Sequence, residues 1–398
     1  DAQGQGSVSF PLPPNPALAG LPFLAQGVTV PGTASFVDDL SNRVSLVLGL
    51  PGNSYPALGD DITPRRWAST IALSDGTVLV AGGLVPRGGA GTPGIVPTNR
   101  VSRFDPQTQT YAEVSSNLPV PLGRSRVVAM ADGRTLIAGG LDQNGPSSRC
   151  IVFDPATGQF SQVGSLQVPR VFHTLNALPD GRVIAAGGST AFTAGHPIGY
   201  PAATAQFVAS TEIFDPSSGT WSQGPALPVR TTMHEAVTLA SGRVLLNGGV
   251  NQNATAQFPV TTAAAYLFDP LSNQVAPAPP IPQARMHHGS TPTELGNAMV
   301  AGGSSIDFVT LQTTVHKEAW VFDETLNAWS GVPDVPALIR CGQLTCVENG
   351  MKIYYLFGMG LSSLDLATGT ATYDRDIYTL DATFSTWNKA STLLEEHF

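Results

Sequence analysis

Three of the seven histidines stand at one fixed place in a recurring pattern. His173, His234 and His288 each precede a glycine pair by 14 residues (187 less 173, 248 less 234, 302 less 288), and His287 sits beside the last. Neutral imidazoles converging at one mouth would offer a nitrogen-rich site for zinc or copper. Buried, the same residues would pack one sheet on the next. Packing is the expectation, with no cofactor, and His173, His234 and His288 are the alternative metal set. Six arginines lie near the same places: Arg66, Arg124, Arg170, Arg230, Arg285 and Arg340. Guanidinium forks there would grip the carboxylate of an acidic sugar or peptide, or hydrogen-bond the backbone of a neighbouring repeat. The backbone role is expected and ligand contact is the alternative. No catalytic acid stands out beside them, Glu235 and Glu294 being nominal candidates only.

A different chemistry is offered by two charge-free loops that both contain Thr-Ala-Gln-Phe, at 204–207 and 255–258. Phe192, Ile198, Tyr200, Phe207 and Phe258 place much apolar surface in these loops, as a partner-contact patch would. Packing of the loops on each other, or on residues 1–63, accounts for them equally well. No phosphate-cradling loop, Cys-x-x-Cys or zincin pattern occurs, and the Gly-Gly pairs are not nucleotide signatures.

The elements that must position these residues repeat. An apolar strand ends on Gly82-Gly83, Gly139-Gly140, Gly187-Gly188, Gly248-Gly249 and Gly302-Gly303, with Gly358-Met359-Gly360 as a degenerate sixth copy. A turn precedes each: Asp75-Gly76, Asp132-Gly133, Asp180-Gly181, Ser241-Gly242, Gly296-Asn297 and Asn349-Gly350. Phe-Asp follows at Phe104, Phe153, Phe214, Phe268 and Phe322, and Leu380-Asp381 closes the series. Each repeat therefore reads as four antiparallel strands a to d, with hairpin turns set by residues that tolerate positive φ. By subtraction, Phe-Asp to the next glycine pair spans 35, 34, 34, 34 and 36 residues, but glycine pair to Phe-Asp spans 22, 14, 27, 20 and 20. Length variation thus sits in the loop from b to c, which shares a face with the connection from d to the next a. Variable loops on one face of a rigid scaffold are where binding usually lives.

These markers resemble the kelch family, and more narrowly the kelch propeller of galactose oxidase and related bacterial proteins; the segment from Arg170 to Gly188 matches best. The resemblance implies an all-β kelch-type β-propeller over 64–398, with six four-stranded blades. Residues 1–63 would be a ring seal, a partial domain or a degenerate seventh blade. In galactose oxidase the matching strand carries a tyrosine-histidine pair on copper, and neighbouring blades supply a cysteine and a tyrosine that form the radical cofactor. Here Phe172 precedes His173, and the equivalent positions are Trp67, Arg124, Met233, His287 and Gln343. Phenylalanine has no oxygen to bind copper, so a copper-radical oxidase is not expected.

Composition narrows the classes. Glycine (42) and proline (33) are abundant in the 398 residues and charged residues are only 12%, which suits short strands and many turns. A net charge of -9 argues against nucleic acid as a partner. Three cysteines make no disulfide framework; Cys341 and Cys346 fall on opposite faces of one strand, and buried free thiols are expected. The polar start at Asp1 reads as a mature N-terminus or an expression boundary, and no stretch suits a membrane span. The expected function is non-catalytic: an exported propeller (secreted, cell-surface or periplasmic) that binds a protein or glycan or self-assembles through its b-to-c loop face. The alternative is a sugar-active enzyme, oxidase- or mutarotase-like, at the channel mouth.

Overall fold

The sequence pattern asks for sheets of four short strands, and a computed structural model gives them. It describes residues 67–73, 77–86, 95–105, 110–114, 116–192, 206–252, 258–293, 295–309, 312–336, 343–347, 353–357, 360–365, 370–374, 376–380 and 385–392. Expectations for 1–63, Arg66, Arg340, Ile198, Tyr200 and Cys341 lie outside the described residues. Those residues form strands and turns with no helix, so none is long and apolar enough to cross a membrane.

Six antiparallel sheets carry the order a-b-c-d. Sheet 1 is Ser69–Ala72, Val78–Ala81, Val101–Asp105 and Thr110–Glu113; sheet 2 is Arg126–Ala129, Thr135–Ala138, Cys150–Asp154 and Gln159–Gln162. Sheet 3 is Thr174–Ala177, Val183–Ala186, Thr211–Asp215 and Thr220–Gln223; sheet 4 is Glu235–Thr238, Val244–Asn247, Ala265–Asp269 and Gln274–Ala278. Sheet 5 is Gly289–Pro292, Ala298–Ala301, Ala319–Asp323 and Ala328–Val332; sheet 6 is Gln343–Val347, Ile353–Phe357, Asp376–Leu380 and Trp387–Thr392. The chain divides into two compact units, Asp1–Val171 with Ala191–Ala202 and Ala390–Phe398, and Phe172–Thr190 with Ala203–Lys389. Sheets 1 and 2 belong to the first unit and sheets 3 to 5 to the second.

Strand b is buried along its whole length in sheets 1 to 5, whereas the described d strands are mostly exposed. Burial on both faces explains why b reads as a continuous apolar run. Alternate side chains point to opposite sheet faces, and each face meets a different neighbour. In the second unit, Val244 and Leu246 pack with Ile184 and Ile213 of sheet 3, while Leu245 packs with Ala298 and Phe322 of sheet 5. In the first unit, Leu79 and Ala81 meet Ile137, Ile151 and Phe153 of sheet 2.

The turn residues act as their types require. Gly133, Gly181 and Gly242 take φ of 84°, 86° and 84° at the a-to-b turns. At the c-to-d turns the Asp side chain accepts from the backbone two residues on: Asp154 from Ala156, Asp215 from Ser217, Asp269 from Leu271 and Asp323 from Thr325. Gly158, Gly219, Asn273 and Asn327 then supply the left-handed residue. The phenylalanine of Phe-Asp packs in a tilted arrangement against the aromatic of strand d, with ring centroids at 4.8 Å for Phe104–Tyr111 and 5.2 Å for Phe214–Trp221 and Phe322–Trp329. Outer strands are also tied from sheet to sheet, because Trp329 Nε1 donates to Pro279 O (2.8 Å) and Trp387 Nε1 to Pro333 O (2.7 Å).

The glycine pairs are where one repeat meets the next. The second glycine of four successive pairs donates its N–H to a carbonyl just ahead of the following strand a: Gly83 to Leu122, Gly140 to Arg170, Gly188 to Thr231 and Gly249 to Arg285, all at 2.7–2.9 Å. The first glycine leaves room for the following repeat. A Cβ on Gly187 would lie 2.7 Å from His234 Cε1 and 2.8 Å from Thr231 O, whereas one on Gly158 would meet nothing within 4 Å. Both glycines have positive φ. Gly158→Ala should therefore cost only left-handed strain, about 1 kcal/mol, and Gly187→Ala about 3 kcal/mol because a packed ring and a carbonyl must also move. Urea midpoints of the two variants, compared at equal slope, measure the difference.

Candidate functional site

His173, His234 and His288 are all buried to within 2% of full burial. Their places follow from the glycine packing. His234 Nε2 lies 3.2 Å from Thr174 Oγ1 on strand a of sheet 3, and His288 Nε2 lies 2.7 Å from Asn247 Oδ1 on strand b of sheet 4. The space over Gly248 is filled by His288 Cε1 just as that over Gly187 is filled by His234. Each of these two imidazoles thus caps the glycine of the preceding sheet, bonded to that sheet. Among the described residues no group of three or more His, Cys, Asp or Glu side chains lies together in a way that could hold a metal.

The residue before each histidine position has an unforeseen backbone. Trp67, Arg124, Phe172, Met233 and His287 have φ of 52°, 52°, 57°, 55° and 52°, and all five are buried. Left-handed backbone is uncommon for bulky residues, so nothing in their types signals it; only their shared repeat position could have. A backbone bond follows from it in each unit, Arg124 N to Trp67 O (2.9 Å) and Met233 N to Phe172 O (3.2 Å).

The four described arginines of the set differ in burial and in contacts. Arg170 and Arg285 hold the same repeat position and are completely buried. Each Nε faces the carbonyl two residues back, Val168 and Gln283, at 3.3 Å. Arg285 Nη1 also donates to Gly302 O and Glu318 O, both at 2.9 Å, tying the end of strand b to the start of c. Burial lowers its pKa to about 10, which leaves it charged at neutral pH. Arg124 lies against Trp67, 3.5 Å from the ring centroid, with Phe192 at 5.4 Å, a cation–π arrangement worth about 2 kcal/mol when desolvated. Arg230 alone of the described set is exposed.

Among the described residues, b-to-c loops of sheets 1, 4 and 5 pair as hairpins. Leu84–Pro86 pairs with Ile95–Pro97, Val250–Gln252 with Val260–Thr261, and Ser304–Ile306 with Thr313–Val315. Phe207, expected among the contact residues, is instead buried at 3% and bridges to Ser189, so its ring is covered by the chain itself. Phe192 is half-buried beside Arg124. Phe258 is 42% exposed, and Val260 and Val309, which no sequence pattern marks, are more exposed still. On the opposite, turn side of sheets 4 and 5, Leu271, Leu295 and Leu326 are also exposed. These sit singly in polar turns, where no periodicity marks them.

Burial gives the histidines a pH signature. His288 is held well below its ordinary pKa, first by burial and then by the charges of Arg285, His287, His234 and His316. His316 is lowered by burial, then by Arg285, against the opposing pull of Glu318. A depressed base binds fewer protons folded than unfolded, so the stability present above pH 6.5 declines as pH falls below it. The slope from His288 is up to about 1.4 kcal/mol per pH unit. Asp132 and Asp180, lowered by side-chain bonds to Arg134 and Arg182, act only further down, near the ordinary carboxylate range. Between pH 6.5 and the carboxylate range, stability from denaturant titrations should fall in the wild type and fall less steeply in His288→Asn.

Comparison with known proteins agrees with this repeat structure. Residues 123–167, from the connection before strand a of sheet 2 to beyond its strand d, match the Kelch motif. The chain is 23% identical over 287 residues to Kelch-like protein 36 of Rattus norvegicus, covering 71% of this chain and 42% of that protein, and equally to its Mus musculus counterpart. It is 25% identical over 231 residues to Kelch-like protein 35 of Mus musculus, covering 56% of this chain and 33% of that protein. The chain thus spans less than half the length of the curated relatives it matches. The matched motif, these distant relatives and the four-stranded sheets together support a kelch-repeat protein.

Proposed function

We propose that the six sheets are the blades of one kelch propeller and that it acts as a protein-binding module through its b-to-c loop face. The observation that carries this reading is the contrast between constant sheets and variable hairpins. The repeats keep nearly constant spacing from Phe-Asp to the next glycine pair, and four of them share the glycine contact, whereas the length from glycine pair to Phe-Asp varies from 14 to 27 residues. Exposed Phe258, Val260 and Val309 on adjacent hairpins of sheets 4 and 5 supply apolar contact surface. The kelch-type relatives favour a protein partner over a glycan or self-assembly. Export of the chain is part of this reading on composition alone.

The sugar-active alternative, with chemistry around His173, His234 and His288, is disfavoured by their burial and by the packing contacts of His234 and His288. A second binding reading has a specific basis in the leucines of the turn face, of which Leu271 is 95% exposed.

Charge-insertion pairs distinguish the two faces. Val260→Asp/Val309→Asp should abolish recovery of partners from the native extract, and Leu271→Asp/Leu326→Asp should leave it intact, both variants melting as the wild type. Loss with the turn-face pair and not with the hairpin pair would transfer the function to the opposite face. Deleting 195–203 should likewise weaken association without unfolding the sheets.

A further inference from the structure

The hairpin of sheet 5 places a serine, a histidine and a glutamate in one row. Ser305 Oγ lies 3.0 Å from His316 Nε2, and His316 Nδ1 lies 3.7 Å from Glu318 Oε2. The elements that hold them are short and regular. Ser305 is the middle residue of Ser304–Ile306, paired with Thr314, and His316 follows the partner strand with its N–H bonded to Gly303 O at 2.8 Å. The ring is buried, while Ser305 and Glu318 are partly exposed. The Ala284 backbone serves the ring as a hydrogen-bond acceptor. A carboxylate beside Nδ1 favours the proton on that nitrogen, which turns the Nε2 lone pair toward the serine hydroxyl. Glu318 is placed in turn by the wholly buried Arg285, whose Nη1 donates to its backbone carbonyl and whose Nη2 lies 3.9 Å from its Oε2. Burial and the Arg285 charge keep the imidazole neutral at pH 7, the form that accepts a proton.

Nucleophile and base therefore stand in hydrogen-bond contact, and the Glu318 carboxylate, 3.7 Å from the base's other nitrogen and not hydrogen-bonded to it, acts on the ring through its charge. We propose that Ser305 is an activated nucleophile toward small carboxylic esters, with His316 as its general base and Glu318 as the residue that positions His316. In the first step Ser305 Oγ bonds to the ester carbonyl carbon and its proton passes to His316 Nε2. The C–O bond to the alcohol then breaks, and that proton goes to the departing oxygen. In the second step His316 takes a proton from water, whose oxygen attacks the acyl carbon; the acid leaves and the serine oxygen regains the proton. Exposed Val309 in the turn of this hairpin, and Val260 on the hairpin joined to it through Thr261 Oγ1 and Ile306 N (3.0 Å), favour an apolar acyl group over a charged one. The activity goes beyond partner binding and occupies one hairpin only.

An alkyl fluorophosphonate, which traps activated serines, tests the proposal on the full chain, with the site found by peptide mass spectrometry. One adduct is expected on Ser305, absent after heat denaturation and in Ser305→Ala. The labelling rate should fall by about 10²- to 10⁴-fold in His316→Gln. Glu318→Gln should slow labelling and Glu318→Asp recover part of it, which a purely structural carboxylate would not show. No adduct on Ser305 in the native wild type overturns the proposal, whatever the variants do. An equal rate in a His316→Gln protein that melts as the wild type also overturns it.

Discussion

The described repeats are built around a backbone contact that glycine permits. The pair that ends strand b stands where the next repeat must come within hydrogen-bond distance, and Gly83, Gly140, Gly188 and Gly249 each donate to that repeat. A side chain on Gly187 or Gly248 would collide with the imidazole that packs over it and with a carbonyl beside it. The left-handed backbone of both glycines of each pair adds a second reason for the residue type. With the approach fixed, alternate residues of strand b meet the sheets on either side. Val244 and Leu246 face one way and Leu245 the other for that reason.

The same contact decides what happens at the neighbouring polar residues. His234 and His288, each 14 residues ahead of a glycine pair, are carried into the space over the first glycine of the preceding pair. The second nitrogen position of each then depends on what the preceding sheet offers, Thr174 in one case and Asn247 in the other. Arg170 and Arg285 are buried beside these contacts and satisfy backbone carbonyls. Side chains not taken up by these contacts lie in the hairpins beyond the glycine pairs, two of which are themselves joined through Thr261 Oγ1 and Ile306 N. Ser305, His316, Val260 and Val309 all belong to those hairpins.

Much of this was legible in the sequence because local chemistry and repeat spacing agree. Asp-Pro-x-x-Gly turns, Asp-Gly turns and the Phe-Asp packing on strand d all take the forms their residue types dictate. The contacts of His234 and His288 recur at one spacing from a glycine pair, which is what a repeated structural contact looks like in sequence. The left-handed Trp67, Arg124, Phe172, Met233 and His287 were not legible, because tertiary contacts override the preference of bulky residues there. Phe207 takes the packed one of the two roles open to it, because composition does not separate a charge-free contact loop from one whose ring is covered. The Ser305–His316 contact joins residues 11 apart across a hairpin whose register the loop sequence does not reveal.

Amide hydrogen exchange at the second glycines tests the central claim most directly. If the glycine pair couples each repeat to the next, the amides of Gly83, Gly140, Gly188 and Gly249 will exchange as slowly as those of the adjoining b strands, although each lies outside a strand. Exchange at the rate of the c-to-d turn amides, with the b strands still protected, would show that the repeats are held by side-chain packing alone and would contradict the account.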